Sequence, residues 1–445
     1  MMKTDILIVG GGPAGLVAAV AVRKNNPDKK ITLVREYEKC VVPCGLPYIF
    51  NRLPAVEKDL MPDKAYETNK IDLVIDEVVK IETADKKVNL KNGEEIGYDK
   101  LILATGSSPA AIPIKGVELN GVYQIKKDIK YLENLREEIL KAKNIVIIGG
   151  GFIGVELAEE LSSIKNKNIS VVEILDHCLI ANFDEEFALA GENKIKEKGV
   201  KLYLKTAVEE IIGENKVEKV KLNSGKEIPA DLVIMAVGAR PNIKLAEDAG
   251  IKIIEKGGIE VDKFMRTNIP DVYAVGDCAE TRSFFTGKSN LVMLASVACY
   301  EARIAGANLY REEKDLIKNS GTVAAFSTCL GGLVLGAAGL NETAAKKENI
   351  KVVVGESEAP NHHPGTLPNT GIIKVKLVFD QSSKILLGGQ IAGPESVAEM
   401  INLIAVAIQQ RMTAQDLANL QAATHPLITA PPTAYPIIKA AEMVL

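Results

Sequence analysis

Asp5-Ile6-Leu7-Ile8-Val9-Gly10-Gly11-Gly12-Pro13-Ala14-Gly15 sets the fold class. Five residues to Val9 form an apolar strand with one leading carboxylate, and an Ala/Val-rich helical stretch follows Gly15. Between them the glycines keep the spacing of a dinucleotide fingerprint. Gly10 makes the tight turn, Gly12 lets backbone approach a pyrophosphate, and Gly15 allows close helix–strand packing, with Pro13 and Ala14 opening the helix. A second strand, Ile31 to Val34, ends at Arg35 and Glu36, where an acidic residue is expected to meet ribose hydroxyls; which of the two faces the nucleotide stays open at this point.

The same design returns downstream. Asn144 to Ile148 runs into Gly149-Gly150-Gly151-Phe152-Ile153-Gly154 and then a helical segment. Each loop is answered by a matching strand, Asp99 to Gly106 in the first case and Asp231 to Gly238 in the second, both reading Asp, four residues, Ala, one residue, Gly. Two loops with two such partners describe a duplicated nucleotide-binding domain. In the second copy the next strand ends at Glu173, whose carboxylate can accept from the 2′- and 3′-hydroxyls of an adenosine ribose and repels a 2′-phosphate. NADH is therefore expected there rather than NADPH.

Composition narrows the function classes. The 445 residues are 47% hydrophobic and 25% charged, with a net charge of −4 and both signs interspersed. That leaves no basic patch for nucleic acid and no polybasic membrane anchor. A strand begins within a few residues of the N-terminus and no apolar run reaches membrane-spanning length, so a cytoplasmic protein is expected. Six cysteines without a CxxC, and four histidines, suggest neither a disulfide framework nor a metal site.

One cysteine stands apart. In Val41-Val42-Pro43-Cys44-Gly45-Leu46-Pro47-Tyr48, Pro43 restricts the turn before Cys44 and a short helix from Cys44 to Phe50 is expected. Free N–H groups of such a helix favour thiolate over thiol. Cys40 is too close for a CxxxxC pair and is not expected to bridge to Cys44. Cys178, Cys278, Cys299 and Cys329 are expected to be buried structural thiols. Val78 to Ile81 and Lys87 to Leu90 read as a small β-meander with a hairpin signal at Asn92-Gly93. Asp271 to Asp277 reads as a short strand ending in Gly276-Asp277, whose carboxylate can reach hydroxyls of a bound flavin. From about Gly321 the pattern changes to antiparallel strands at Ile372 to Phe379 and Ile385 to Gln390, with helices at Glu395 to Gln410 and Pro436 to Leu445.

GGGPAG at Gly10 to Gly15, ATG at Ala104 to Gly106, GGGFIG at Gly149 to Gly154, VGARPN at Val237 to Asn242 and YAVGDCAE at Tyr273 to Glu280 together resemble the pyridine nucleotide-disulfide oxidoreductase family of flavoproteins. The likeness spans essentially the whole chain. The single cysteine in PCGLPY resembles the branch of CoA-disulfide reductases, NADH oxidases, NADH peroxidases and persulfide reductases. The resemblance implies an α/β fold of two Rossmann-like domains plus an α+β C-terminal dimerisation domain. The expected division is an FAD-binding domain split over 1–115 and 241–320, an NAD(H)-binding domain over 116–240, and a dimerisation domain over 321–445. It implies that Gly10, Gly12, Gly15, Thr105 and Asp277 bind FAD, with backbone near Val78 at the adenine. Gly149, Gly151, Gly154 and Glu173 are implied to bind NADH, with Phe152, Glu156 and Gly238 near its nicotinamide. His425, in Thr424-His425-Pro426, falls where disulfide reductases carry an acid–base histidine across a homodimer interface, though Ala430 and Pro431 stand where an acidic partner is usual.

The expected activity is transfer of electrons from NADH through FAD to Cys44 and on to a small disulfide, persulfide or polysulfide. An NADH oxidase or peroxidase working through a Cys44 sulfenic acid, and a reductase serving a small redox protein, stand as alternatives.

Overall fold

The computed structural model describes residues 2–445. The chain forms two compact units. One comprises the chain up to Ala111 together with Ile125–Glu137 and Gly238–Thr322; the other comprises Ile112–Gln124, Glu138–Val237 and Val323–Leu445.

In the first unit Met2–Val9 lies at the centre of a parallel arrangement, flanked by Ile31–Arg35 and Glu95–Leu103. Asp72–Ile75 extends one edge and Val272–Ala274 pairs with Glu95–Leu103. Ile6, Leu7, Ile8, Leu33, Leu101 and Ile102 have no or almost no solvent contact. Strands covered on both faces read as unbroken apolar runs, which is how this stretch reads. The meander pairs antiparallel as expected, Val78–Glu82 with Lys87–Leu90, and Gly93 takes a positive φ of 89° in the turn before Glu95–Leu103. Helices Pro13–Asn25 and Ala295–Asn308 pack against each other closely enough that a Cβ on Gly306 would lie 2.8 Å from the Ala18 carbonyl oxygen.

The second unit repeats the parallel motif, in the order Lys201–Tyr203, Asn168–Val172, Asn144–Ile148, Leu232–Met235, Val122–Gln124. It also holds a five-stranded antiparallel sheet in the order Phe326–Leu330, Leu333–Gly339, Leu386–Gly393, Ile372–Asp380, Val352–Pro360. The expected long helix near residue 400 is shorter: a 3₁₀ turn at Glu395–Val397 precedes the α-helix Met400–Gln409. A buried lysine ties this sheet to the parallel motif. Lys376 donates to Glu186 at 2.7 Å and lies 3.0 Å from Asp184, whose other contacts include the Gln390 amide at 2.6 Å. Among the described residues no helix is long and apolar enough to cross a membrane.

Candidate active site

The first glycine loop is shaped by its own backbone. Gly10 has φ 116° and donates its N–H to Val34 O at 2.9 Å; a Cβ there would sit 2.1 Å from Ala104 O. A Cβ on Gly15 would lie 1.9 Å from Gly10 O, so the helix can start this close to the strand only with glycine. Above Gly12 nothing lies within 4 Å, which leaves the helix N-terminus open to a pyrophosphate. Beside the loop is a cavity of about 440 Å³ bordered by Val34, Glu36, Val78, Thr105 and Asn242, among others. Thr105 and Asn242 clasp each other across it: the Thr105 hydroxyl donates to Asn242 O at 2.7 Å and the Asn242 amide to Thr105 O at 2.8 Å. Ala104 is buried, Gly106 has φ 68°, and Ser107 donates to the Asp277 carboxylate at 2.7 Å.

Arg35 and Glu36 differ sharply. Arg35 is 3% exposed and its stem covers Gly11, where a Cβ would meet Arg35 Cδ at 2.6 Å. Its guanidinium turns inward, donating to Asp63 at 2.8 Å and to Glu38 O, over the Tyr66 ring. Glu36 is exposed, and of the two it is the one with a carboxylate at the cavity.

The second loop copies the first. Gly149 has φ 110°, donates to Val172 O at 2.8 Å, and a Cβ on it would reach Ala236 O at 2.3 Å; one on Gly154 would reach Gly149 O at 1.9 Å, and Gly151 faces open space. Here the residue after Val172 is Glu173, 8% exposed, whose two oxygens accept from Gly150 N–H at 2.5 Å and Leu175 N–H at 2.8 Å. Each oxygen keeps a lone pair for a ribose hydroxyl. Phe152 meets Phe326 edge-on at 5.0 Å and Phe183 at 6.2 Å, while Ile153 is exposed at the helix start. Glu156 accepts from the Thr328 hydroxyl at 2.7 Å. Burial pushes the Glu156 carboxyl up, and the Thr328 bond opposes that. Gly238, with φ 97°, accepts from Ala110 N–H at 2.9 Å in the first unit.

Cys44 lies in the first turn of a 3₁₀ helix, Pro43–Phe50, capped by extended Val42. Leu46, Pro47, Ile49 and Phe50 are buried and anchor the turn, while Cys44 is exposed. The turn is backed by antiparallel pairing: Val42 N–H donates to Asp59 O at 2.7 Å and Met61 N–H to Cys40 O at 2.8 Å. No disulfide joins any of the cysteines. Cys40 is half-buried, and burial raises its thiol against the nearby Arg35 guanidinium. Cys178 and Cys278 are buried, with burial driving Cys178 up to about 12. Two cysteines depart from the expectation of burial: Cys299 is half-buried, and Cys329 is exposed because every second residue of Phe326–Leu330 faces outward.

His425 is exposed in a loop closed on itself, its N–H donating to Thr429 Oγ1 at 2.8 Å and its Nδ1 accepting from Leu427 N–H at 3.2 Å. Leu427 and Ile428 beside it are also exposed. His363 reaches this loop, its N–H donating to Pro426 O at 3.0 Å, and His362 sits 3.2 Å from Thr370 Oγ1. Three residues at these sites gave no signal in the motifs. Asp59 packs on Gly45, Thr328 on Glu156, and the buried Glu301 carboxylate accepts from Gly276 N–H at 2.9 Å. Only Glu301 left a trace, as an acid on the apolar face of an Ala-rich helix.

Two open glycine loops that a Cβ would block, each with a carboxylate near the end of the next strand, fit two dinucleotides; with one exposed cysteine on a helical turn they describe a dinucleotide-dependent oxidoreductase. The model of pyridine nucleotide-disulphide oxidoreductases matches residues 4–302, and that of the family's dimerisation domain matches residues 326–435. The chain is 33% identical over 435 residues to a protein named NADH oxidase from Methanocaldococcus jannaschii, covering 93% of each. It is 33% identical over 425 residues to an NAD(P)H coenzyme A polysulfide/persulfide reductase from Pyrococcus horikoshii, again covering 93% of each. A solved NAD-dependent persulfide reductase from A. fulgidus superposes with a TM-score of 0.90 at 32% identity, over 99% of this chain and 83% of that one. The chain belongs to the pyridine nucleotide-disulphide oxidoreductase family, whose members use FAD and NAD(P)H.

Proposed function

We propose that this enzyme carries electrons from NADH through FAD to Cys44 and on to a small disulfide, persulfide or polysulfide. The observation that carries the reading is Cys44 itself, exposed in the first turn of a buried, Pro-restricted helix within the unit that holds the first glycine loop. The relatives named for persulfide and polysulfide reduction support the acceptor class.

In this reading residues 1–115 with 241–320 hold FAD, 116–240 hold NADH and 321–445 dimerise. Gly10, Gly12 and Gly15 receive the FAD pyrophosphate, Glu36 its adenosine ribose, and Thr105 and Asp277 the remaining hydroxyls, with Val78 backbone at the adenine. Glu173, held by two backbone N–H donors, takes the NADH ribose hydroxyls and disfavours a 2′-phosphate. Phe152 and Glu156 flank the nicotinamide end. When bound, FAD supplies acceptance of a hydride and release of two electrons to sulfur.

The protein's own chemistry is at sulfur. Cys44, as thiolate, attacks one sulfur of the acceptor; the S–S bond breaks, one thiolate leaves, and Cys44 keeps the other half as a mixed disulfide. Two electrons from NADH break that bond, returning Cys44 to thiolate and releasing the second thiol. Overall one NADH, one proton and one disulfide give NAD⁺ and two thiols. A homodimer is the working form: the exposed Leu427 and Ile428 beside His425, within the segment matched by the dimerisation model, are apolar side chains suited to a second copy, and His425 is then placed to protonate a departing thiolate.

The equal identity to a named NADH oxidase supports a second reading, in which peroxide or dioxygen is reduced through a Cys44 sulfenic acid. NADH consumption by the FAD-loaded protein under argon, with CoA disulfide or polysulfide, against its rate in air separates them. Faster anaerobic turnover upholds the reductase; a faster rate in air overturns it.

A further inference from the structure

A strand far along the chain reaches the helix that follows the second glycine loop. Phe326–Leu330 alternates, with half-buried Phe326 and buried Thr328 and Leu330 on one face and exposed Ser327 and Cys329 on the other. On helix Phe152–Ser162, Phe152 and Glu156 stand one turn apart on a single face. Two strand residues span about 6.6 Å and four helical residues about 6 Å, so the two spacings run in register. Phe326 accordingly meets Phe152 edge-on at 5.0 Å, and Thr328 donates to Glu156 Oε1 at 2.7 Å. Leu330 carries the same face on to helix Glu185–Glu197, where a Cβ on Gly191 would lie 3.3 Å from it. Both side chains proposed to flank the nicotinamide are thus met by one strand of the segment that matches the dimerisation model.

Thr328 supplies what the surroundings of Glu156 otherwise lack. Burial pushes this half-buried carboxyl up, the Thr328 bond opposes that, and Glu160 one turn on adds to the effect of burial. Strands Asn144–Ile148 and Asn168–Val172, packed on the same helix, bring no charged side chain. On helix Glu185–Glu197 the charges pair elsewhere: Glu185 with His177, Glu186 with Lys376, Glu192 with Lys196, and Lys194 with Glu197. On its own helix Glu159 pairs with Lys198. Among the described residues no cation pairs with Glu156. Thr328 is 5% exposed, so its hydroxyl bond is shielded from water.

We propose that Thr328 is a positioning residue of the nicotinamide site, its hydroxyl keeping Glu156 a carboxylate that accepts from the carboxamide N–H of the nicotinamide. The proposal rests on Glu156 meeting that end of NADH. A carboxylate is an acceptor at both oxygens, whereas a carboxylic acid gives up acceptor capacity to its own proton. A hydroxyl donating to a carboxylate favours the charged form. The acceptor is lost as pH falls through the Glu156 midpoint. The Thr328 bond holds that midpoint down, so without the hydroxyl the loss begins at a higher pH. Thr328 acts only through Glu156.

The test is calorimetric titration of the oxidised, FAD-loaded protein with NAD⁺, which carries the same carboxamide and does not reduce the flavin, across the range of about pH 5 to 9. Wild type, Thr328→Val and Thr328→Ser are compared, and ADP-ribose, which lacks the nicotinamide, is titrated in parallel. The proposal expects the acid limb of NAD⁺ binding to move up by about one pH unit in T328V, with a ~3-fold weaker Kd at neutral pH, and to return to the wild-type position in T328S. ADP-ribose should bind all three alike. Coincident NAD⁺ profiles overturn the proposal, and so does an equal loss for ADP-ribose, which marks a general disturbance of the second unit. Should T328V fail to fold, Thr328→Ala removes the same hydroxyl and decides by the same comparison. Glu156→Gln separates the two ideas. E156Q with the wild-type affinity and pH profile removes Glu156 from the nicotinamide and the proposal with it, whereas E156Q without an acid limb, alongside an unshifted T328V, overturns only the role of Thr328.

Discussion

The two glycine loops coincide in backbone and part at one side chain. Gly10 bonds to Val34 O as Gly149 bonds to Val172 O, so Arg35 and Glu173 occupy equivalent places, each under the middle glycine of its loop. In the second loop that place holds a carboxylate fixed by backbone N–H groups. In the first it holds a buried guanidinium bound to Asp63, and the carboxylate has moved one residue on, to exposed Glu36. The same scaffold thus holds a fixed carboxylate in one copy and an exposed one in the other. In the first copy the rigid position is spent instead on tying the strand end to the segment that runs on to Cys44.

The largest effect should come from the glycines that shape each loop. Gly10→Ala drives a Cβ to 2.1 Å from Ala104 O and Gly149→Ala to 2.3 Å from Ala236 O, both at positive φ. G10A should purify without flavin, its FAD affinity down more than ~100-fold, while G149A should keep FAD and lose NADH reduction of it by a similar factor. Loss of flavin from G149A would break the division of labour between the loops.

Next comes Glu301, behind Gly276 and Asp277 in the first unit, whose carboxyl burial raises to about 8. A folded value above the unfolded one means the stability it contributes is full below the ordinary carboxylate range and lost as pH rises towards 8. Glu301→Gln cannot ionise, so it should be more stable than wild type at pH 8 by on the order of 3 kcal/mol, with the gap closing as pH falls to 4.5; denaturant melts across pH check this.

The two strand-end carboxylates, proposed to meet ribose, bear directly on the difference between the copies. Glu173→Ala should raise the Kd for NADH by ~30-fold, and Glu36→Gln should weaken FAD by only ~5-fold, because the fixed acceptor loses more than the exposed one. Equal losses would contradict the difference drawn between the sites. Smallest is Thr328→Val, which unties Glu156; a ~3-fold rise in NADH Kd, restored by Thr328→Ser, is expected by fluorescence titration.

Much of this was legible before any coordinates. The loops, the meander and the Pro-flanked helix of Cys44 are local patterns, and local sterics decide them. The choice between Arg35 and Glu36 was not, since it depends on which residue sits under Gly11, a matter of register between strand and loop. Asp59 and Thr328 were silent, and Glu301 left only an acid on an apolar helix face, because each meets its partner by packing rather than by motif. Cys329 differs for a related reason: its exposure depends on which face of Phe326–Leu330 is covered, and that is decided by packing from distant segments.

The central claim is that Cys44 handles the acceptor while the loops handle the cofactors. It is tested most directly by mixing FAD-loaded Cys44→Ser with NADH under argon and then adding CoA disulfide or polysulfide. The account predicts that NADH still bleaches the flavin at a rate near wild type, and that disulfide or polysulfide turnover falls by ~1,000-fold or more. Turnover near the wild-type rate in that variant would contradict it.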